Sequence, residues 1–252
     1  MALLKSTGNK KVNLDFNKEF ISTFSEKIES GNIEFINQTL KDLHEADVAN
    51  LIENLNPDTR LKLIELESFN IDPEIFIELN ESLQSEVLKQ LSIDSVIRII
   101  KRLESDDAIK ILENLEKDNK DKILEKLPPK DKFLFEEGLS YPEDSAARIM
   151  QREFTAVPSN WTVGQTIDYL RETKDLPKEF LEIFIVDNDF KPIGTVPSSR
   201  VLRTPRNLKM NSIMSEMPVL ISVNMDQEEV GHAFENYNLV SAGVVNKDNK
   251  LV

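Results

Sequence analysis

Leucine returns every twelve residues through the first half of this chain, at Leu43, Leu55, Leu79, Leu91, Leu103, Leu115, Leu127 and Leu139, with Glu67 in the one slot that breaks the series. The repeat reaches beyond the leucines. Val48, Leu51, Ile52 and Leu55 stand at i, i+3, i+4 and i+7, as do Val96, Ile99, Ile100 and Leu103, and again Ala108, Ile111, Leu112 and Leu115. That spacing lines one face of a helix. Weaker copies run through Ile75, Phe76 and Leu79, through Val87, Leu88 and Leu91, and through Ile123, Leu124 and Leu127. Twelve residues hold about two helical turns and a short connection. Helices so short do not stand alone in water, so each must stack its apolar face on its neighbours. The period therefore predicts a mainly α superhelix of short helices over residues 20–140, after an N-terminal tail at 1–19. An irregular helical bundle would share the same core. Asp58, Ser82, Asp94, Asp106 and Asp118 follow the leucines by three residues and read as N-caps.

Past Leu139 the period is lost. Tyr141-Pro142, Val157-Pro158 and the lone Trp161 appear, with β-rich runs EIFIV at 182–186 and PIGTV at 192–196. A longer repeat takes over. Ile149-Met150 with Val157 and Asn160 falls on Ile213-Met214 with Ile221 and Asn224 at an offset of 64, and FIVDNDFKPI at 184–193 falls on GVVNKDNKLV at 243–252 at an offset of 59. Each copy reads as a strand, a helix (163–171; 227–236) and a hairpin, an α/β unit made twice. The first copy, 141–204, continues through IGTVPSSRVLR; the second, 205–252, has only begun its returning strand at Leu251-Val252. The expectation is a second module incomplete at its C-terminus, in a piece of a longer protein. Trp161 and Met150 are expected in the core.

Composition excludes several functions. The 31 Lys+Arg against 45 Asp+Glu give a formal charge of -14, which repels a phosphate backbone, so no nucleic-acid partner is expected. An acidic surface of this kind attracts cations. Without cysteine there are no disulfides, thiolate metal sites or Cys nucleophiles. No run approaches the ~18 apolar residues of a membrane span, so the chain as given is expected to be soluble. His44 and His232 are too isolated for a zinc site or a triad, and the seven glycines form no phosphate loop. Nothing reads as a catalytic constellation, so the chain is not expected to be an enzyme.

YPEDSAARIM at 141–150, VPSNWTVGQTIDYLR at 157–171 and MDQEEVGHAFENYN at 225–238 resemble the intracellular region of MgtE-type magnesium transporters, and LHEADVANLIENL at 43–55 resembles the opening helices of that family's N-terminal domain. The resemblance implies a helical superhelix followed by a pair of CBS modules. It further implies a magnesium-sensing regulatory region, dimeric through the CBS modules, that gates a transmembrane pore domain from the cytoplasmic side of the membrane. Mg²⁺ is the implied regulatory ligand. It keeps most of its water and is held by one or two carboxylates, so scattered acids suffice. Without the ion, facing carboxylates repel and the domains separate.

Carried over residue by residue, the resemblance implies metal-site roles for Asp106, for Asp226, for the backbone carbonyl of Ala147, and for Asn238 through its amide oxygen. Lys110, one turn after Asp106, stands where relatives can carry a second carboxylate. Asp106 and Asp226 each read as N-cap or ligand, and one carboxylate can serve both roles. Glu228 and Glu229 read as solvated first-turn acids. CBS pairs often bind adenine nucleotides through polar residues after the third strand. Here Pro197 and Arg200 fill those places, and Arg200 cannot accept hydrogen bonds from ribose hydroxyls, so a nucleotide is not expected in this piece. The alternative reading is a protein-interaction scaffold with a CBS-type ligand sensor, resembling the helical arrays of flagellar motor switch proteins.

Overall fold

The computed structural model describes residues 16–67 and 72–252. Most of the expected N-terminal tail lies outside the described residues. Among those described, the first half forms α1 (Lys18–Glu29), α2 (Ile33–Lys41), α3 (Glu45–Asn54), α4 (Pro57–Glu67), α5 (Glu74–Glu78), α6 (Glu81–Gln90), α7 (Ile93–Ile100), α8 (Ser105–Glu113), α9 (Lys117–Lys126) and α10 (Pro129–Ser140). The apolar positions of the period are its core: Val48, Leu51, Ile52, Leu55, Val96, Ile99, Ile100, Ala108, Ile111, Leu112 and Leu115 are all buried.

The caps differ from expectation. Three of the periodic leucines end their helices in extended backbone, with ψ 150° at Leu55, 144° at Leu79 and 148° at Leu91. One residue then separates it from the next helix, and that residue is the cap. Asn56 Oδ1 accepts the Thr59 N–H at 2.9 Å, Asn80 Oδ1 the Leu83 N–H at 3.0 Å, and Ser92 Oγ the Ser95 N–H at 3.1 Å. Asp58, Ser82, Asp94, Asp106 and Asp118 thus fall inside the first turns of their helices. There an acid still complements the helix dipole.

The carbonyls freed where these helices end are met by a residue of the next helix. Arg60 donates through Nε to Ile52 O (3.0 Å) and through Nη2 to Leu55 O (2.9 Å). Two periods further on, Gln84 Nε2 donates to Phe76 O at 2.7 Å.

The chain divides into two compact units. One holds the described residues up to Leu103 with Asn114–Asn119; the other holds Glu104–Glu113 and Lys120–Val252. In the second unit the helical stretch is followed by α11 (Ala146–Ile149), β1 (Ala156–Pro158), α12 (Val163–Glu172), β2 (Glu182–Val186), β3 (Pro192–Pro197), α13 (Ser198–Arg203), β4 (Ile221–Ser222), α14 (Gln227–Tyr237) and β5 (Val244–Val245). β1 pairs with β2 in parallel, with Val157 opposite Ile185, and β4 pairs with β5 in parallel, with Ile221 opposite Val244. These partners are related by the two offsets read from the sequence. The turns repeat as well. Asp187 Oδ1 accepts the N–H groups of Asp189 and Lys191, and Asn246 Oδ1 accepts those of Asp248 and Lys250. Phe190 and Asn249, also 59 apart, take positive φ of 64° and 58°.

β2 continues antiparallel to β3, completing a three-stranded sheet. In the second repeat the return is limited to Leu251, bridged to Val245, while the Leu251 N–H donates to Phe190 O at 3.1 Å. The β5 edge at this point is therefore paired. Val157, Val163, Ile183, Ile185, Val196, Val201 and Met210 form the first repeat's core, with Trp161 packed against it; Met150 is buried with Ala147 and Val223.

Candidate metal site

The start of α8 is tied down by the loop after α11. Ser105 Oγ donates to Glu153 Oε2 at 2.8 Å and accepts the Arg152 N–H at 2.9 Å, and Gln151 Nε2 donates to Glu104 Oε2. Two ion pairs hold the same elements: Arg148 Nε with Glu113 Oε1 and Arg152 Nη1 with Glu137 Oε2, each at 2.7 Å. Sequence reasoning gave none of these residues a role, because their partners are about 15 to 48 positions away.

The residue after Ser105 is Asp106. Its Oδ1 is buried and has no hydrogen-bond partner. Burial, with the neighbouring charges of Asp107 and Glu104, raises its pKa from 3.8 to about 6, and hydrogen bonds from the backbone at Asp107 and at Asp106 itself only partly offset this. A half-buried carboxylate with an unmet oxygen is suited to a cation. Lys110 is exposed, one turn away on α8.

α8 packs against α11, which carries Ala147. α11 in turn is zipped to the approach of α14: Ala146 N–H donates to Met225 O at 2.7 Å, Ala147 N–H to Val223 O at 3.0 Å, and Gln227 N–H to Asp144 O at 2.7 Å. Asp226 lies in this zipper, bridged to Ser145. It caps α14 through Oδ1, which accepts the Glu228 N–H at 2.8 Å, and Oδ2 is left for another partner. Asp106, Ala147 and Asp226 therefore occupy adjoining elements.

Asn238 does not join them. It ends α14 in the left-handed conformation, φ 49° and ψ 48°, at the opposite end from Asp226. Eleven residues of helix span roughly 17 Å, whereas the ligands of one Mg²⁺ lie at about 2.1 Å from it. Asp226 and Asn238 cannot share an ion within one chain. Among the described residues, no three His, Cys, Asp or Glu side chains converge as a ready metal cluster. What the second unit offers is the sparse donor set that Mg²⁺ tolerates.

Arg200 is already engaged, its Nη1 donating to Ile213 O at 2.8 Å and Ser215 Oγ at 3.0 Å. No helix among the described residues is long and apolar enough to cross a membrane.

An array of short helices followed by a doubled β-α-β unit defines a class, a helical domain joined to CBS modules. Residues 43–144 match the model of the MgtE intracellular N domain, and residues 146–207 match the CBS domain. These segments are thus an MgtE intracellular N domain followed by a CBS domain. The chain is 25% identical over 124 residues to the magnesium transporter MgtE of Thermus thermophilus, covering 49% of this chain and 28% of that protein. It is 23% identical over 117 residues to that of Enterococcus faecalis, covering 46% and 26%. The matched segment spans about a quarter of the length of these relatives. Its fold is that of the cytosolic domain of the Mg²⁺ channel MgtE in complex with ATP, with a TM-score of 0.82 at 23% identity over 92% of this chain and 95% of that one. The soluble part of a magnesium transporter aligns with a TM-score of 0.80 at 19% identity, over 93% of each chain.

Proposed function

We propose that this chain is the magnesium-sensing regulatory region of an MgtE-type transporter or channel. It comprises a helical domain to about residue 140 and CBS modules at 141–204 and 205–252. Mg²⁺ bound at carboxylates favours association of the helical and CBS domains, and that association sets the state of a transmembrane pore from the cytoplasmic side. The chain performs no catalysis itself. The observation that carries the reading is the unpartnered, buried carboxylate oxygen of Asp106 in an MgtE-type region of net charge -14. Asp106, the Ala147 carbonyl and Asp226 are the proposed donors, with Asn238 serving a separate ion. Dimerisation through the CBS modules is supported by apolar side chains on their helices that face solvent, among them Leu202 on α13, 77% exposed, and Tyr237 on α14.

Small-angle scattering with Mg²⁺ tests this reading. Raising Mg²⁺ from a chelated baseline into the millimolar range is expected to reduce the radius of gyration. Identical curves in chelator and in excess magnesium sink the sensor assignment.

A further inference from the structure

Arg148 follows Ala147 directly on α11, and its guanidinium reaches two further helices. Nε meets Oε1 of Glu113, the last residue of α8, at 2.7 Å, and Nη1 donates to Gly138 O of α10 at 3.1 Å. The first contact is one of charge, since among the described residues neither Nε nor Oε1 has an aligned hydrogen-bond partner. The Arg148 side chain is only 9% exposed, so the two charges meet largely out of water, where they attract more strongly. At Gly138 itself α8 and α10 come so close that a Cβ would run into Ile109 Cδ1 of α8. One guanidinium therefore ties together α8, α10 and α11.

Asp106 and Glu113 stand seven residues apart on α8, about two turns, and so lie on one face of it. The Arg148–Glu113 contact thus joins the helix that carries Asp106 to the helix that carries the Ala147 carbonyl, and does so with protein charges alone. The other end of α8 is held by the Ser105–Glu153 hydrogen bond.

We infer that Arg148 is a positioning residue for magnesium. Its contact with Glu113 sets the approach of α8 to α11 before any ion arrives, so that the Asp106 carboxylate and the Ala147 carbonyl are preorganised. This rests on the magnesium-sensing reading above. Mg²⁺ demands near-ideal octahedral geometry, so its affinity depends on how its donors are held. Groups that orient ligands without touching the ion change metal affinity by about 10–100-fold. The sign of the effect separates this role from a simple charge effect. A guanidinium near a cation site repels the ion, so if Arg148 acted through charge alone its removal would tighten binding. If it positions the donors, its removal loosens binding.

Magnesium titration of the 252-residue chain by small-angle scattering, with Arg148→Gln, Glu113→Gln and the double variant, tests this. Each single substitution is expected to raise the Mg²⁺ midpoint about tenfold. The double variant is expected to match the singles, because one contact is lost in all three. In chelator, amide hydrogen exchange along α8 is expected to quicken in every variant while that of β2 stays unchanged. Glu113→Gln keeps the shape of a half-buried side chain and carries the exchange test if Arg148→Gln fails to fold. A midpoint unchanged or lowered in Arg148→Gln, additive effects in the double variant, or unchanged α8 exchange overturns the positioning role and leaves the sensor reading standing. No scattering response in the unaltered chain sinks both.

Discussion

The hydroxyl of Ser105 and the carboxylate of Glu153, 48 residues apart, meet at 2.8 Å, and the Ser105 N–H points to the same carboxylate oxygen at 3.3 Å. Glu153 therefore does for α8 what a cap does, from a distant part of the chain. Ser105 is buried and its hydroxyl also accepts the Arg152 N–H. Ser105→Ala strands that N–H and removes one donor from the carboxylate, at an expected cost of about 1–3 kcal/mol. Urea denaturation checks it. A loss below about 0.5 kcal/mol would mean water replaces the hydroxyl without penalty and α8 is held by other contacts.

Both repeats were legible in the sequence because each is a local pattern repeated. A helix face recurs every twelve residues, and the Asp187 turn recurs at Asn246. The caps were misplaced by two residues because the reading took leucine as the last helical residue, whereas Leu55, Leu79 and Leu91 are already extended. The Asp106 environment was not legible. Its burial depends on α8 packing against α10 and α11, and that packing exists only after the chain has folded back. The separation of Asp226 from Asn238 could have been drawn from the sequence, since the predicted helix at 227–236 lies between them.

Phe190 carries a positive φ of 64° where its counterpart in the second repeat is Asn249. Left-handed backbone costs an ordinary residue about 1–2 kcal/mol, and asparagine less. Against that, the Phe190 ring lies 6.3 Å from the Phe154 ring, a contact of about 0.5–1.5 kcal/mol. The two nearly offset each other, so Phe190→Asn is expected to leave the melting temperature within a few degrees, whereas Phe190→Val keeps the strain, loses the ring and destabilises. Equal melting of the Asn and Val variants would show that the backbone is not strained at this turn.

Asp226 is a cap by geometry and a ligand by proposal, and two substitutions separate the roles. Asparagine caps about as well as aspartate, while alanine costs about 1 kcal/mol. Metal-free melting should therefore rank the original chain level with Asp226→Asn and above Asp226→Ala. The additional stability from Mg²⁺, RT ln(1 + [L]/Kd), should shrink in both variants. Full magnesium stabilisation in Asp226→Asn leaves this residue as a cap alone.

Asp106 makes the sharpest prediction because charge and metal act on it in opposite directions. Its pKa of about 6 in the folded chain lies above the ordinary 3.8, so between those values the native state holds more protons than the unfolded one. Stability therefore falls as pH rises through that window, and the penalty is complete above about pH 6. After discounting for its partial exposure, the penalty is on the order of 1 kcal/mol. Asp106→Asn abolishes it. Without metal, the variant should be the more stable chain at pH 7.5 and indistinguishable from the original near pH 4. In millimolar Mg²⁺ at pH 7.5 the order should reverse, since only the carboxylate gains ligation energy. Below pH 6 the proton competes with the ion, and the original chain's magnesium response should fade. Thermal melts at pH 4, 6 and 7.5, with and without Mg²⁺, distinguish these cases. If the variant is more stable at pH 7.5 both with and without magnesium, Asp106 is a buried acid that binds no ion.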